Sequence, residues 1–253
     1  MSKQKNRMVD AVVISSNIIW TLQEQNGAGV TELANRLGHS KSTVHNHLQT
    51  LENQRLVVKD DSQYRLSLRF LDVASHVKNQ LPNYDIIREE VDSLAEETGE
   101  VAQFGIEEHG RVSYLYKSSG SRGVETASSV GTQQTIHSTS LGKSIMAHMP
   151  KERVHEILDR RGMAARTDHT ITDRDELFHK LAEIRERGYA IDDQENVEGL
   201  CCIAAPVKSD HGDLGAVSVS WPSSRFGADA FIDELPAKIM RAANVIELNS
   251  KFG

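Results

Sequence analysis

Two cysteines in 253 residues, adjacent as Cys201 and Cys202, are too few and too close together to build a disulfide framework, and they lack the spacing of a zinc site. Aromatic residues make up only 5% of the chain. No apolar run approaches the roughly 18–20 residues that span a bilayer. The N-terminus, Met1-Ser2-Lys3-Gln4-Lys5, is basic, but the apolar stretch and small-residue cleavage site of a secretory signal do not follow it. Internal repeats and low-complexity segments are absent as well. Together these absences argue against a membrane protein, a secreted disulfide scaffold and a zinc finger, and the expected location is the cytoplasm. What is present, 38% hydrophobic and 26% charged residues, is the balance of a soluble globular protein. The length suits two domains, each large enough to bury its own core.

Charge is spread unevenly. Residues 1–75 hold nine Lys/Arg against seven Asp/Glu (+2), which leaves 20 against 29 (−9) for the remainder of a chain of net charge −7. An acidic protein with a slightly basic front points to a polyanion met by that front alone.

The first third reads as helix, helix, turn, helix and hairpin. Residues 8–25 place Val9, Val12, Val13, Ile19 and Leu22 at helical spacing, and Asn26-Gly27-Ala28-Gly29 ends that run. Thr31 is the expected N-cap of a short helix to Leu37, with Gly38 as its stop. Ser40 caps a third helix, residues 41–53, in which Val44, Leu48 and Leu51 share one face. Two strands, 56–59 and 64–68, are joined by Asp60-Asp61-Ser62-Gln63. This is the order of a winged helix-turn-helix. Its third helix would keep Lys41, Ser42, Thr43, His45, Asn46 and Gln49 on the open side, able to reach phosphates or base edges in a major groove. Arg36, Arg55 and Lys59 are further candidates for phosphate contact, and Ser40 stands at the cap. The competing reading is a plain packing or dimerisation module, which would need a second apolar stripe on the third helix.

A helix at 68–77 and the Asn79-Gln80-Leu81-Pro82-Asn83 break form a linker. Beyond it the expected elements are helices at 86–98, 138–149, 151–161, 173–187 and 229–248. Strands are expected at 101–107, 111–117, 132–136, 202–207 and 214–221, the last two joined by Asp210-His211-Gly212-Asp213. The fold class is α+β, with an antiparallel sheet and flanking helices in the second domain. The domain division is 1–68, a linker at 69–83, and 84–253. Ser218 and Ser220, at i and i+2, face the same side of their strand, and with Cys202 on the neighbouring strand they mark a small polar pocket. Both serines bonding to backbone or facing solvent is the alternative.

Three segments, Ile136-His137-Ser138-Thr139-Ser140-Leu141-Gly142-Lys143-Ser144, residues 188–207, and Ser218-Val219-Ser220-Trp221-Pro222, occur in an order and spacing that resembles the IclR-type transcriptional regulators. The resemblance runs from about Met8 to Leu248. It implies an N-terminal winged helix that binds double-stranded DNA and a C-terminal GAF-like domain that binds a small-molecule effector, a small organic acid or related metabolite. It also implies a homodimer or homotetramer without a cofactor. Carried over position by position, Asp192, Cys202, Ser218 and Ser220 supply polar contacts to the effector. The backbone amides of Ser140 and Leu141 complete the site, and Thr126, Gln134 and Leu200 are wall positions. An ionised Asp192 would repel a bare acid, so the ligand is expected to offer a donor as well. Two positions depart from the family pattern: Asn46 stands where Arg is common and Arg55 where Gly is common. Arg55 must then either turn left-handed, at a cost of about 1 kcal/mol, or let the helix end differently.

Two other functions compete. Cys202, with Asp192 and His137 as partners, could be a cysteine nucleophile, though a strand-buried cysteine is ordinarily a small hydrophobe. The 11 histidines and the cysteine pair could sense a metal or redox state, but His45 and His47 lie roughly 200° apart on their helix. The expectation is a regulator and not an enzyme, with no metal site.

Overall fold

The computed structural model describes residues 8–81, 83–124, 128–208, 214–225 and 230–250. Thr126, Pro82 and the turn at 210–213 lie outside these residues. The chain divides into two compact units, meeting in sequence between residues 80 and 81.

The first unit contains α1 (Asp10–Gln25), β1 (Ala28–Gly29), α2 (Val30–Leu37), α3 (Lys41–Asn53), β2 (Val57–Asp60), β3 (Gln63–Leu66) and α4 (Arg69–Asn79). Val44, Leu48 and Leu51 of α3 are buried against Leu33 of α2 and Ile18 and Leu22 of α1, with Val57 and Tyr64 of the hairpin closing the core. The Ser40 hydroxyl caps α3 by accepting the Thr43 N–H at 3.0 Å. At the other end Arg55 takes φ 59°, and the Leu56 N–H reaches back to the Leu51 carbonyl at 2.9 Å. Of the two ways the helix could end at this non-glycine, it is the left-handed one.

Three local readings are corrected here. The inward side of α1 is Ile14, Ile18, Thr21 and Leu22, while Val9 and Val12 are exposed, because α1 carries apolar residues on both sides and periodicity alone cannot choose between them. Thr31 does not cap α2. Ala28 and Gly29 pair with Tyr64 and Gln63 of β3, so the helix begins at Val30, with extended Gly29 at its cap two residues before Thr31 and no side-chain hydrogen bond there. This two-residue strand had no local signature.

The second unit contains α5 (Tyr84–Thr98), β4 (Val101–Glu108), β5 (Arg111–Ser119), β6 (Gln133–Thr135), α6 (Ser140–Met146), α7 (Lys151–Arg161), α8 (Arg174–Arg187), β7 (Ala190–Asp193), β8 (Leu200–Lys208), β9 (Leu214–Pro222) and α9 (Ala230–Ser250). Among the described residues its strands form one antiparallel sheet in the order β6-β5-β4-β9-β8-β7. One face, carrying Phe104, Cys201, Ile203, Val217, Val219 and Trp221, is buried under α5 and α9. The other, carrying Val112, Ala190, Ala204 and Ala216, is buried under α6, with α7 and α8 outside it.

The third correction is the start of α6. The Thr139 hydroxyl accepts the Gly142 N–H at 3.1 Å and so serves as the cap. Ser138, expected inside the helix, hydrogen-bonds to Asn196 at 3.2 Å and to Thr135 instead. Gly142 is obligatory at this entry: a Cβ there would lie 2.0 Å from the Ile136 carbonyl oxygen.

Candidate functional site

On the first unit, the side of α3 opposite Val44, Leu48 and Leu51 is polar and open. Lys41, Ser42, His45, Asn46 and Gln49 are exposed there, with no second apolar stripe. Lys59 on β2 is also exposed, its ammonium 5.7 Å from the centre of the Tyr64 ring. The remaining candidates are partly engaged. Ser40 and Thr43 share a 2.8 Å hydroxyl–hydroxyl bond, and Arg36 is paired with Glu24 of α1 at 2.5 Å. Both partners of that ion pair are about half exposed, and such a surface pair contributes no more than about 1 kcal/mol, so a phosphate can displace it. His47 turns away to the Ser15 hydroxyl (2.8 Å), on a different side of the helix from His45.

On the second unit, strand register assembles a cavity of about 330 Å³ on the α6 face of the sheet. Asp192, Cys202 and Ser220 stand side by side across β7, β8 and β9. One step along lie Ala204, Ser218 and Gln103 in the same way, on β8, β9 and β4. At this end the sheet face is small and polar, where elsewhere it is apolar. The cavity gathers Gln134, Ser140, Leu141, Asp192, Leu200, Cys202, Ser218 and Ser220, which is every expected effector contact except Thr126. Gly142, pressed against Ile136, fixes the first turn of α6 at its rim; helix geometry leaves the earliest N–H groups of such a turn without intrahelical partners.

Sequence reasoning missed several walls. Gln103 and Tyr114 come from β4 and β5, and only the pairing of those strands with β9 and β6 brings them here. Gln103 donates to the Ser128 hydroxyl at 2.6 Å, and the Lys117 ammonium donates to the Ser128 carbonyl at 2.7 Å. Asn196 and Val197 come from the β7–β8 loop. Val124 and Val197, both nearly half exposed, make one part of the lining apolar.

Asp192 dominates the electrostatics. It is 2% exposed, and its Oδ1 accepts the backbone N–H groups of Glu195 (2.7 Å) and Asn196 (3.3 Å). Burial raises its carboxyl from the ordinary 3.8 to about 7, against the opposing pull of Lys143. Lys143 lies behind the cavity wall with no exposed surface, hydrogen-bonded to Glu195, whose own carboxyl burial also raises. Cys202 and Tyr114 are pushed up by burial too, so both keep their protons at neutral pH. A thiol held protonated in this way is a poor nucleophile. His137, cast as its partner, does not line the cavity: its ring bonds to the Ala164 carbonyl at 3.2 Å. Cys201, on the opposite face of β8, is buried in the core. Among the described residues, no three His, Cys, Asp or Glu side chains converge in a way that could hold a metal, and no helix is long and apolar enough to cross a membrane.

Comparison with known proteins places both units. The family model for the IclR helix-turn-helix domain matches residues 11–61, and that for the bacterial transcriptional regulator IclR C-terminal domain matches residues 79–248. The probable HTH-type transcriptional regulator ArcR of Halobacterium salinarum is 34% identical over 247 residues, covering 96% of this chain and 94% of that protein. A crystal structure of an IclR transcriptional regulator from Alicyclobacillus acidocaldarius superposes with a TM-score of 0.82 at 25% identity, covering 96% of this chain and all of that one. An IclR homologue from Microbacterium hydrocarbonoxydans, complexed with 4-hydroxybenzoate, has the same fold at 20% identity and TM-score 0.82, over 96% of this chain and 100% of that one.

Proposed function

This chain belongs to the IclR family of bacterial transcriptional regulators, and from that premise we propose that residues 1–68 bind double-stranded DNA while residues 84–253, joined through 69–83, hold a small organic acid or related metabolite that alters the binding. It is a transcriptional regulator with a helix-turn-helix and a C-terminal ligand-binding domain, and not an enzyme. Its work on DNA places it in the cytoplasm.

One observation carries the proposal: the sheet face that packs apolar side chains along most of its length turns to hydroxyl, amide, thiol and carboxyl groups where it lines the cavity beside α6. A folding domain has no use for such a wall, since each polar group there must be satisfied or lose stability. Asp192, Ser218, Ser220 and Cys202 hold the polar end of the effector, with the amides of Ser140 and Leu141 beside them and Gln134, Leu200 and Thr126 around them. Val124 and Val197 receive its apolar part. The 4-hydroxybenzoate held by the Microbacterium homologue is a small organic acid that also offers a hydroxyl donor.

On the DNA side, Lys41, Ser42, Thr43, His45, Asn46 and Gln49 face the major groove. Ser40, Arg36 and Lys59 meet the backbone on either side. The functional particle is a homodimer or a homotetramer. Exposed Leu71, Val73 and Val77 on α4, which buries none of its residues, and exposed Val9 and Val12 on α1 are the surfaces a second copy would cover. Two half-sites read by one dimer follow from that symmetry. Coupling requires only that the effector favour one arrangement of the dimer, and a preference of about 1–3 kcal/mol changes operator affinity about 5–150-fold.

A thermal-shift screen of small aliphatic, aromatic and sugar acids against the full chain, followed by DNA-binding titrations with each stabilising compound, tests this. Ser218→Ala is expected to weaken the stabilising compound at least tenfold with DNA affinity unchanged. A folded Ser218→Ala protein with an undiminished response would remove Ser218 from the site.

A further inference from the structure

The cavity carries acidic charge and, among the described residues lining it, no lysine, arginine or histidine. Asp192 lies at its floor, one oxygen committed to the backbone N–H groups of Glu195 and Asn196, which leaves Oδ2 for a ligand. The nearest ammonium, that of Lys143, is sealed inside α6 and bonded to Glu195. Two acids and one base therefore form a buried cluster of net charge −1. The groups that face Asp192 from the surrounding elements are Cys202 on β8, Tyr114 on β5, Lys143 on α6 and Glu195 in its own loop, with Lys180 of α8 acting on Glu195; Glu198 of the β7–β8 loop also lines the cavity but is exposed, and Lys117 of β5 reaches the lining residue Ser128. A carboxylate entering beside Asp192 would meet a second carboxylate, with the Lys143 ammonium already committed to Glu195 and the Lys117 ammonium to Ser128.

Taking the cavity as the effector site, we propose that it binds a carboxylic-acid ligand together with one proton drawn from solvent and held on Asp192. Ligand carboxylate, Asp192 carboxylate and H⁺ combine into a complex in which the neutral Asp192 Oδ2–H donates to the ligand oxygen. Repulsion becomes a charge-assisted hydrogen bond, and the Ser218 hydroxyl donates to the second ligand oxygen, while that of Ser220 lies against the Cys202 thiol. Cys202 and Tyr114 already keep their protons and the Glu198 carboxyl is exposed, so Asp192 is the buried carboxyl in the wall that can take one up. The Asp192 carboxyl titrates at about 7 without a ligand, and an anion beside it raises this further. Affinity for an acid is thus flat below about pH 6 and falls about tenfold per pH unit above about pH 7.

The test is calorimetric titration of the full chain with a panel of small aromatic, keto, hydroxy and sugar acids and their amides. Measurements are made at pH 6 and pH 8, each in two buffers of different ionisation enthalpy. The expected result is acid binding about tenfold weaker at pH 8 than at pH 6 with about one proton taken up at pH 8, and amide binding indifferent to pH. Asp192→Asn, whose side chain resembles the protonated acid, is expected to bind acids equally at both pH values with no proton uptake. Acids bound equally at both pH values by the natural chain, without uptake, would overturn the proposal while leaving the effector site in place. Proton uptake that persists in Asp192→Asn would overturn it also, by placing the proton elsewhere. If neither acids nor amides bind at either pH, the effector reading itself fails.

Discussion

Asp192 offers a test that needs no ligand. Its carboxyl titrates at about 7 in the folded chain against an ordinary 3.8, because burial penalises its charge more than Lys143 and two backbone N–H groups favour it. A folded value above the unfolded one means that the native protein holds the extra proton between those limits. Stability from this group is therefore fully present below about pH 4, declines as pH rises through the window and levels off above about 7. A displacement of about three units corresponds to about 4 kcal/mol, of which about 3 kcal/mol is lost between pH 5 and pH 8. Asp192→Asn keeps an oxygen for the Glu195 and Asn196 amides and removes the titration. Its stability relative to the natural chain should improve by about 3 kcal/mol from pH 5 to pH 8. Urea unfolding followed through the emission of Trp221, buried in the core of the second unit, reports the relevant transition, while Trp20 in the first unit is 58% exposed and contributes a near-constant background. A difference between the two proteins that stays constant from pH 5 to pH 8 would show that Asp192 remains ionised throughout, and both the buried charge cluster and the proton-linked cavity would lose their basis.

Other substitutions probe the remaining parts. Lys143→Met leaves Glu195 and Asp192 buried without their shared cation and is expected to cost about 3–5 kcal/mol in the same unfolding assay, whereas Lys143→Met with Glu195→Leu restores most of it. Arg55→Gly relieves a left-handed φ of 59° and should stabilise the first unit by about 0.5–1 kcal/mol, measured by thermal unfolding; a loss would mean that the arginine side chain contributes more than the strain. Lys41→Ala should weaken all duplexes alike and reduce the slope of log affinity against log salt by about one, followed by fluorescence anisotropy. An effect confined to one base position would assign Lys41 to base reading instead.

The parts of the structure legible from sequence are those in which one local signal decides. Residues 41–53 carry a capping serine, one apolar stripe and one polar side, and the helix found there has those bounds. The i, i+2 spacing of Ser218 and Ser220 fixes their common side because a strand alternates. Where two local signals compete, the outcome waits on tertiary contact. Helix α1 has apolar residues around most of its circumference, and only the packing of α3 against Ile18 and Leu22 selects the inward side. Thr31 is a good capping residue and Ser138 an acceptable first helical residue by type, but pairing of Ala28–Gly29 with the hairpin starts α2 ahead of Thr31, and the close approach of Gly142 to Ile136 with Thr139 as cap starts α6 after Ser138. The cavity was half legible for the same reason. Its β7–β9 residues sit in recognisable segments, while Gln103 and Tyr114 enter through strand pairings distant in sequence, for which no local pattern exists.

The side-by-side row of Asp192, Cys202 and Ser220 has an evolutionary consequence. Their strands are tied by main-chain bonds that do not depend on side-chain identity, and the alternate positions Cys201, Val219 and Trp221 carry the packing on the reverse face. Scaffold and chemistry are therefore separable at single-residue resolution. A lineage can exchange one group in the row and acquire a different metabolite without disturbing the layer behind it, so diversification of the signal is cheap where diversification of the architecture is not.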